Sequence, residues 1–336
     1  MIHRTEPVCQ TPQWQQSLAK AITSLEGLCQ HLQIAPSELP FSWEAGQQFP
    51  MRVPVNYADL IEKNNPSDPL LLQILPSFQE LNHDPAFQID PVGDLSHHPV
   101  PGVIHKYNGR ALIITTGACA IHCRYCFRRH FPYAESVAKR QQWLESLTYL
   151  QGHQEVNEVI LSGGDPLSLS DQALQKLLSD LAEIGHLKRL RIHTRMPSVL
   201  PERITPEFLA LLTGSRLSPV MVVHINHPRE LSESARQALK AIKQTGTLLL
   251  NQSVLLRGVN DRSDTLVELS EALFQSDVLP YYLHLLDRVQ GAAHFDVSRA
   301  RALDLHTQVL ANLPGFLVPR LVMEQKGAAS KLAVIR

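Results

Sequence analysis

Two rhythms of apolar residues divide the chain. Up to about residue 100 the rhythm is helical and broken by prolines. Trp14, Leu18, Ile22, Leu25 and Leu28 recur every three or four positions, the spacing that lines one face of a helix. The pattern predicts a helix over 12–32, with Thr11 as its N-cap. Shorter helices are expected over 57–64 and 70–75. Residues 84–101 hold four prolines and two histidines. They read as a long loop, because proline donates no backbone N–H and stops a helix.

From residue 111 the rhythm changes. Short runs rich in Val, Ile and Leu at 111–116, 158–162, 190–194, 221–225, 248–255 and 278–286 predict strands. Helical spacing fills 170–184, 232–245, 263–275 and 298–313 between and after them. The repeat is about 30 residues, the length of a strand, a helix and two loops. Six such units imply a parallel sheet covered by helices. A closed barrel of this kind takes eight. The expected fold is therefore α/β, an incomplete (βα)6 TIM-like barrel over 101–313. A helical region (1–100) precedes it and a C-terminal segment (314–336) follows. An open doubly wound sheet is the alternative, but no Gly-rich dinucleotide fingerprint follows the first strand.

Composition narrows the function classes. Apolar residues make up 44% of the 336 and charged residues 19%, which suits a soluble globular chain. The net charge of −1 offers no basic footprint for nucleic acid. The polar start lacks the apolar core of a secretory signal. No apolar run reaches the roughly 18 residues of a spanning helix. The expectation is a cytoplasmic protein with neither a membrane nor a nucleic-acid partner. Three of the five cysteines fall within eight residues, a poor disulfide framework and a better metal site. Cys9 and Cys29 read as free, partly buried thiols.

The clustered cysteines, Cys119, Cys123 and Cys126, form a C-x3-C-x2-C loop after the first predicted strand. Thiolates are the usual ligands of iron–sulfur clusters. Three of them on a four-iron cubane leave one iron open, and an open metal position is where a substrate can bind. Zinc is the alternative. It would need a fourth ligand, for which His122 and His130 are near in sequence. Gly163-Gly164-Asp165 follows the second predicted strand and alone reads as a turn.

Together the cysteine loop, the Gly-Gly-Asp turn and the six units resemble the radical S-adenosylmethionine superfamily. The stretches 99–102, 119–131, 161–166, 194–205, 224–230 and 251–261 narrow the resemblance to the lysine 2,3-aminomutase family. That resemblance implies a [4Fe–4S] cluster, S-adenosylmethionine and pyridoxal 5′-phosphate. It implies that Cys119, Cys123 and Cys126 ligate the cluster, and that Gly163, Gly164 and Asp165 form the edge receiving the methionine amino group. Lys331 would form the Schiff base with pyridoxal phosphate, with Lys326 as competitor. Arg110 and Tyr107 would help to hold the pyridoxal phosphate, with His224 and Gln252 near the cofactors. Arg128 would grip the α-carboxylate, with Arg129 a weaker candidate. Asp287 and Glu324 would receive the ε-ammonium of L-lysine. Glu324 stands where the family commonly has Asp, and His284 where it has Tyr.

The implied reaction is the isomerisation of α-lysine to β-lysine. The short segment after Lys331 and the run Cys126-Phe-Arg-Arg-His-Phe131 resemble the bacterial branch that modifies elongation factor P. That branch implies the R product, a lysyl-tRNA-synthetase-like ligase and an external reductant such as a flavodoxin. Three rivals stay open: an aminomutase for another amino acid, arginine above all, a radical enzyme that consumes S-adenosylmethionine without pyridoxal phosphate, and a cluster-bearing regulator.

Overall fold

The computed structural model describes residues 11–136 and 140–335. One nine-stranded sheet organises them. In chain order the strands are β1 (Val103–Tyr107), β2 (Arg110–Thr116), β3 (Glu158–Gly163), β4 (Arg189–Thr194), β5 (Ser218–Val223), β6 (Leu248–Val254), β7 (Leu279–His284), β8 (Arg320–Met323) and β9 (Leu332–Ala333). Spatial order follows chain order. β2 to β8 run parallel, and β1 and β9 pair antiparallel at the two ends. The sheet is an open TIM-like barrel. The six expected strands form its middle, and β8 extends the parallel run. β1, β8 and β9 are too short or too polar to carry a strand rhythm of their own.

The four expected helices cover the sheet as Asp171–Ala182, Glu233–Gln244, Ser263–Phe274 and Arg299–Asn312. Three begin at a serine whose hydroxyl accepts a backbone N–H: Ser170 from Ala173, Ser232 from Ala235 and Ser298 from Arg301. That cap satisfies one of the donors left free in a first turn. Asp171–Ala182 turns Leu174, Leu177, Leu178 and Leu181 inward. No described helix is long and apolar enough to cross a membrane.

The N-terminal expectations need correction. The predicted helix over 12–32 is two helices, Gln13–Ala19 and Leu25–Leu32. Between them Ile22 exchanges backbone hydrogen bonds with Val53. The first helix starts at Pro12, not Thr11, without a side-chain cap. Ser24 caps the second. The two shorter helices contract to single turns, Val55–Ala58 and Pro69–Leu72. Burial overrides helical spacing here: Trp14 and Leu28 join one apolar cluster with Val159 and Leu174 of the barrel. Cys29 is a free, buried thiol, whereas Cys9 lies outside the described residues.

A buried ionic knot ties this region to the barrel. Arg124 is fully buried. Its Nε and Nη2 donate to Glu80 at 2.8 and 2.6 Å, and its Nη1 to the Phe49 carbonyl at 2.6 Å. Arg129 Nη2 donates to the same carboxylate at 2.6 Å. One glutamate thus bridges two buried guanidiniums. Removing one partner of a buried pair typically costs about 3–5 kcal/mol. Glu80→Ala should therefore cost at least about 3 kcal/mol in chemical denaturation. A loss below about 1 kcal/mol, the scale of an exposed pair, would show that the knot is hydrated.

Candidate active site

The cysteine loop leaves β2 with alternate residues facing opposite ways. Arg124 and His122 turn to the N-terminal region, His122 Nδ1 meeting the Pro50 carbonyl at 2.7 Å. His130 Nε2 meets the Gln290 carbonyl at 3.1 Å. Neither histidine borders the cavity that the three cysteines line. Cys119, Cys123 and Cys126 border a single cavity. Burial, then the neighbouring thiols, pushes Cys119 well above the ordinary thiol range and Cys126 up to about 11. A cationic metal centre would relieve that crowding of negative charge. Among the described residues no three His, Cys, Asp or Glu side chains converge on a point for a single metal ion. Ligands of a cubane are spread over three irons and need not converge. The donor set fits a cluster.

The turn after β3 is pressed against this loop. Gly164 N donates to the Thr116 carbonyl at 2.7 Å and Asp165 N to the Ala118 carbonyl at 2.8 Å. A Cβ on Gly164 would stand 2.4 Å from the Ala118 oxygen, and Gly163 has φ +114°. Only glycine permits both the approach and that backbone. The Asp165 carboxylate binds the Thr194 hydroxyl and the backbone N–H groups of Arg195 and Leu167, locking the ends of β3 and β4 together. Arg195 then reaches Cys123 Sγ at 2.8 Å through Nη1, while Glu230 and Gln73 hold its Nη2.

The other walls of the cavity carry charge. Lys331, just before β9, donates from Nζ to Glu324 Oε2 at 3.0 Å. The other Glu324 oxygen accepts from the Tyr107 hydroxyl at 2.8 Å. Burial raises the Glu324 pKa, but the Lys331 charge and these two hydrogen bonds outweigh it, so the carboxyl stays below its ordinary range. The Arg110 guanidinium lies 4.6 Å from the centre of the Tyr107 ring. Arg128 Nε donates to Asp94 at 2.8 Å and its Nη1 to Ser162 Oγ at 3.1 Å. Lys106 pairs with the same Asp94. Arg129 turns away to Glu80, and Lys326 packs against Gly93. Of the two lysine candidates, only Lys331 lines the cavity.

Asp287 differs from the other acids. Asp94, Asp165 and Glu324 are engaged, whereas the Asp287 carboxylate has no partner among the described residues. Burial pushes its pKa up to about 7. Burial also holds His224 down at about 4, with Arg195 and Lys331 adding to the effect. The Nε2 atoms of His193 and His284 are buried without a partner. Gln252 completes the wall. All fourteen first-choice site residues, but neither Lys326 nor Arg129, line this one cavity of about 530 Å³, a size within the range of small-molecule sites. Asp94, Lys106, His193 and Ser162 were not foreseen. Asp94 sits inside the proline-rich loop, where no periodicity marks it. Orphaned imidazoles beside Lys106, Arg110 and Arg128 suit polar, anionic ligands.

The radical SAM superfamily model matches residues 113–269. The chain is 47% identical to a protein named L-lysine 2,3-aminomutase from Escherichia coli, over 95% of this chain and 93% of the relative. A protein of that name from Haemophilus influenzae is 45% identical over 97% of each. One from Clostridium subterminale is 33% identical over 96% of this chain and 77% of its own length. In fold the chain is similar to a radical SAM methyltransferase from Sphaerobacter thermophilus, with a TM-score of 0.50, 16% identity and coverage of 66% and 68%. Gly164→Ala should reduce iron retained per chain and lower stability by about 1–3 kcal/mol. Gly185→Ala, which meets open space, should do neither. Full iron content in the first variant would show that the two loops separate freely.

Proposed function

Because the chain belongs to the lysine 2,3-aminomutase family of radical S-adenosylmethionine enzymes, we propose that it uses pyridoxal phosphate to convert L-α-lysine to (R)-β-lysine. As a member of that family it is an isomerase. One observation carries the finer reading: a lysine amine, an arginine held by an acid, and an unpartnered carboxylate share one cavity with three thiols.

When bound, the cluster with S-adenosylmethionine supplies a hydrogen-abstracting radical, and pyridoxal phosphate supplies the conjugated link through which nitrogen moves from C2 to C3. The chain's own residues do the rest. Cys119, Cys123 and Cys126 would hold the cluster and leave one iron open. Gly163, Gly164 and Asp165 would offer the methionine group a backbone edge that no side chain blocks. Lys331 would hold the cofactor aldehyde and Arg110 its anionic end, with the Tyr107 ring packed against the guanidinium. His224, kept neutral by burial, and Gln252 would contact it without adding charge. Asp94 and Ser162 fix two edges of Arg128, leaving Nη2 for the substrate carboxylate, a charge-assisted contact. Asp287, with Glu324, would receive the ε-ammonium. Such opposite charge in a dry pocket rewards a cationic tail.

The proposal extends to the use of the product. The match runs nearly the full length of the short relatives from E. coli and H. influenzae. This supports a shared role: supplying β-lysine to a lysyl-tRNA-synthetase-like ligase that modifies elongation factor P. A flavodoxin-type donor would reduce the cluster.

The test is anaerobic. The cluster-loaded chain, given pyridoxal phosphate, S-adenosylmethionine, reductant and α-lysine, should form β-lysine, and borohydride should fix the cofactor to the Lys331 peptide. Absence of product with the cofactor fixed at Lys331 would sink the lysine assignment. Fixation at another lysine would sink the cofactor assignment. The pH dependence has a definite sign. Asp287 binds a cation only when ionised, so KM for lysine should rise as pH falls from about 8 to about 6. Asp287→Asn should raise KM and flatten that dependence. A KM profile unchanged by the substitution would remove Asp287 from the substrate site.

A further inference from the structure

Glu324 is expected to receive the substrate ammonium, yet both its oxygens are taken. Lys331 Nζ occupies Oε2 at 3.0 Å, and the Tyr107 hydroxyl occupies Oε1 at 2.8 Å. The contact to Lys331 is built into the fold. Met323 of β8 pairs with Leu332 of β9, so the adjacent Glu324 and Lys331 face each other across a two-strand turn. Both side chains are largely buried, at 12% and 24% exposure. The second carboxylate, Asp287, feels both charges and has no partner of its own. A second ammonium entering here would meet the Lys331 charge at close range, in a pocket where charges are poorly screened.

We propose that the Lys331 amine and the distal ammonium of the substrate are alternative occupants of one acidic subsite, formed by Glu324 and Asp287. Capture of the cofactor at Lys331 is then what opens the subsite to lysine. This rests on Lys331 being the cofactor lysine. The charge balance favours the exchange. Condensation of the amine with an aldehyde forms a C=N bond, releases one water containing the aldehyde oxygen, and frees the ammonium proton to solvent. The Lys331 nitrogen leaves Glu324 as it joins the aldehyde carbon. One carboxylate oxygen is left unpaired inside the cavity, which is costly until a new donor arrives. The substrate ammonium is that donor. The order of binding follows: cofactor first, then lysine. An enzyme without cofactor does not sequester free lysine, because its own lysine already fills the place.

The experiment uses the full chain with its cluster reconstituted and no pyridoxal phosphate. The probe is n-pentylamine, which carries an ammonium and no carboxylate, titrated by calorimetry. Lys331→Ala and Lys331→Met should bind it at least about tenfold more tightly than the unsubstituted chain, the scale of one charge-assisted hydrogen bond. Lys331→Arg, which keeps a cation at Glu324, should show no gain. Adding Glu324→Gln to Lys331→Ala should abolish the gain. Equal affinity in the unsubstituted chain and Lys331→Ala would overturn the exchange, as would a gain that survives Glu324→Gln. Failure of borohydride to fix the cofactor at Lys331 would instead overturn the cofactor reading, whatever the amine titrations give.

Discussion

The cysteine side of the cavity is positioned from one close contact, where the backbone of Gly164 lies against that of Ala118. There is no room between them for even a methyl group. The contact sets the cysteine loop at a fixed depth over the end of β3. Asp165 then fastens that end to β4 through Thr194 and Arg195, and Arg195 returns to Cys123. A closed circuit of hydrogen bonds therefore runs from loop to turn to strand and back. Polar groups in such a circuit hold their geometry because each is costly to leave unpaired.

Charge is distributed by the same logic. Three acids around the cavity and the knot hold cations: Glu80 holds Arg124 and Arg129, Asp94 holds Lys106 and Arg128, and Glu324 holds Lys331. Pairing offsets part of the cost of burying these groups and fixes their direction. Asp287 is left over. Burial pushes it toward neutrality, and a cation placed beside it would act in the opposite direction. The cavity therefore holds most of its charges in fixed pairs and leaves the Asp287 carboxylate uncommitted.

The strands of the barrel were legible because parallel strands buried on both faces read as continuous Val, Ile and Leu runs. The helices were legible because Leu174, Leu177 and Leu181 keep helical spacing. The N-terminal region misled the eye. Trp14, Leu18 and Ile22 keep the spacing, but Ile22 pairs with Val53, and a contact to a distant residue leaves no local trace. The edge strands were missed because β9 has two residues, too few for any period. In the cavity, cysteines, glycines and the tail lysine stood out by spacing and resemblance. Asp94 did not, since its meaning lies in Arg128 and Lys106, which reach it only once the chain has folded.

That dependence bears on how the molecule could be divided or recombined. The superfamily match spans residues 113–269, yet the counter-ions that aim the site lie outside it: Glu80 and Asp94 before, Asp287, Glu324 and Lys331 after. Transplanting the matched stretch into another scaffold would carry the thiols and the glycine turn, and with them the means of making a radical. It would leave behind Asp287 and Glu324, the acids proposed to receive the distal ammonium of the substrate. On the proposed assignment, the residues of reactivity and those of selectivity lie in separate parts of this chain and meet in the cavity.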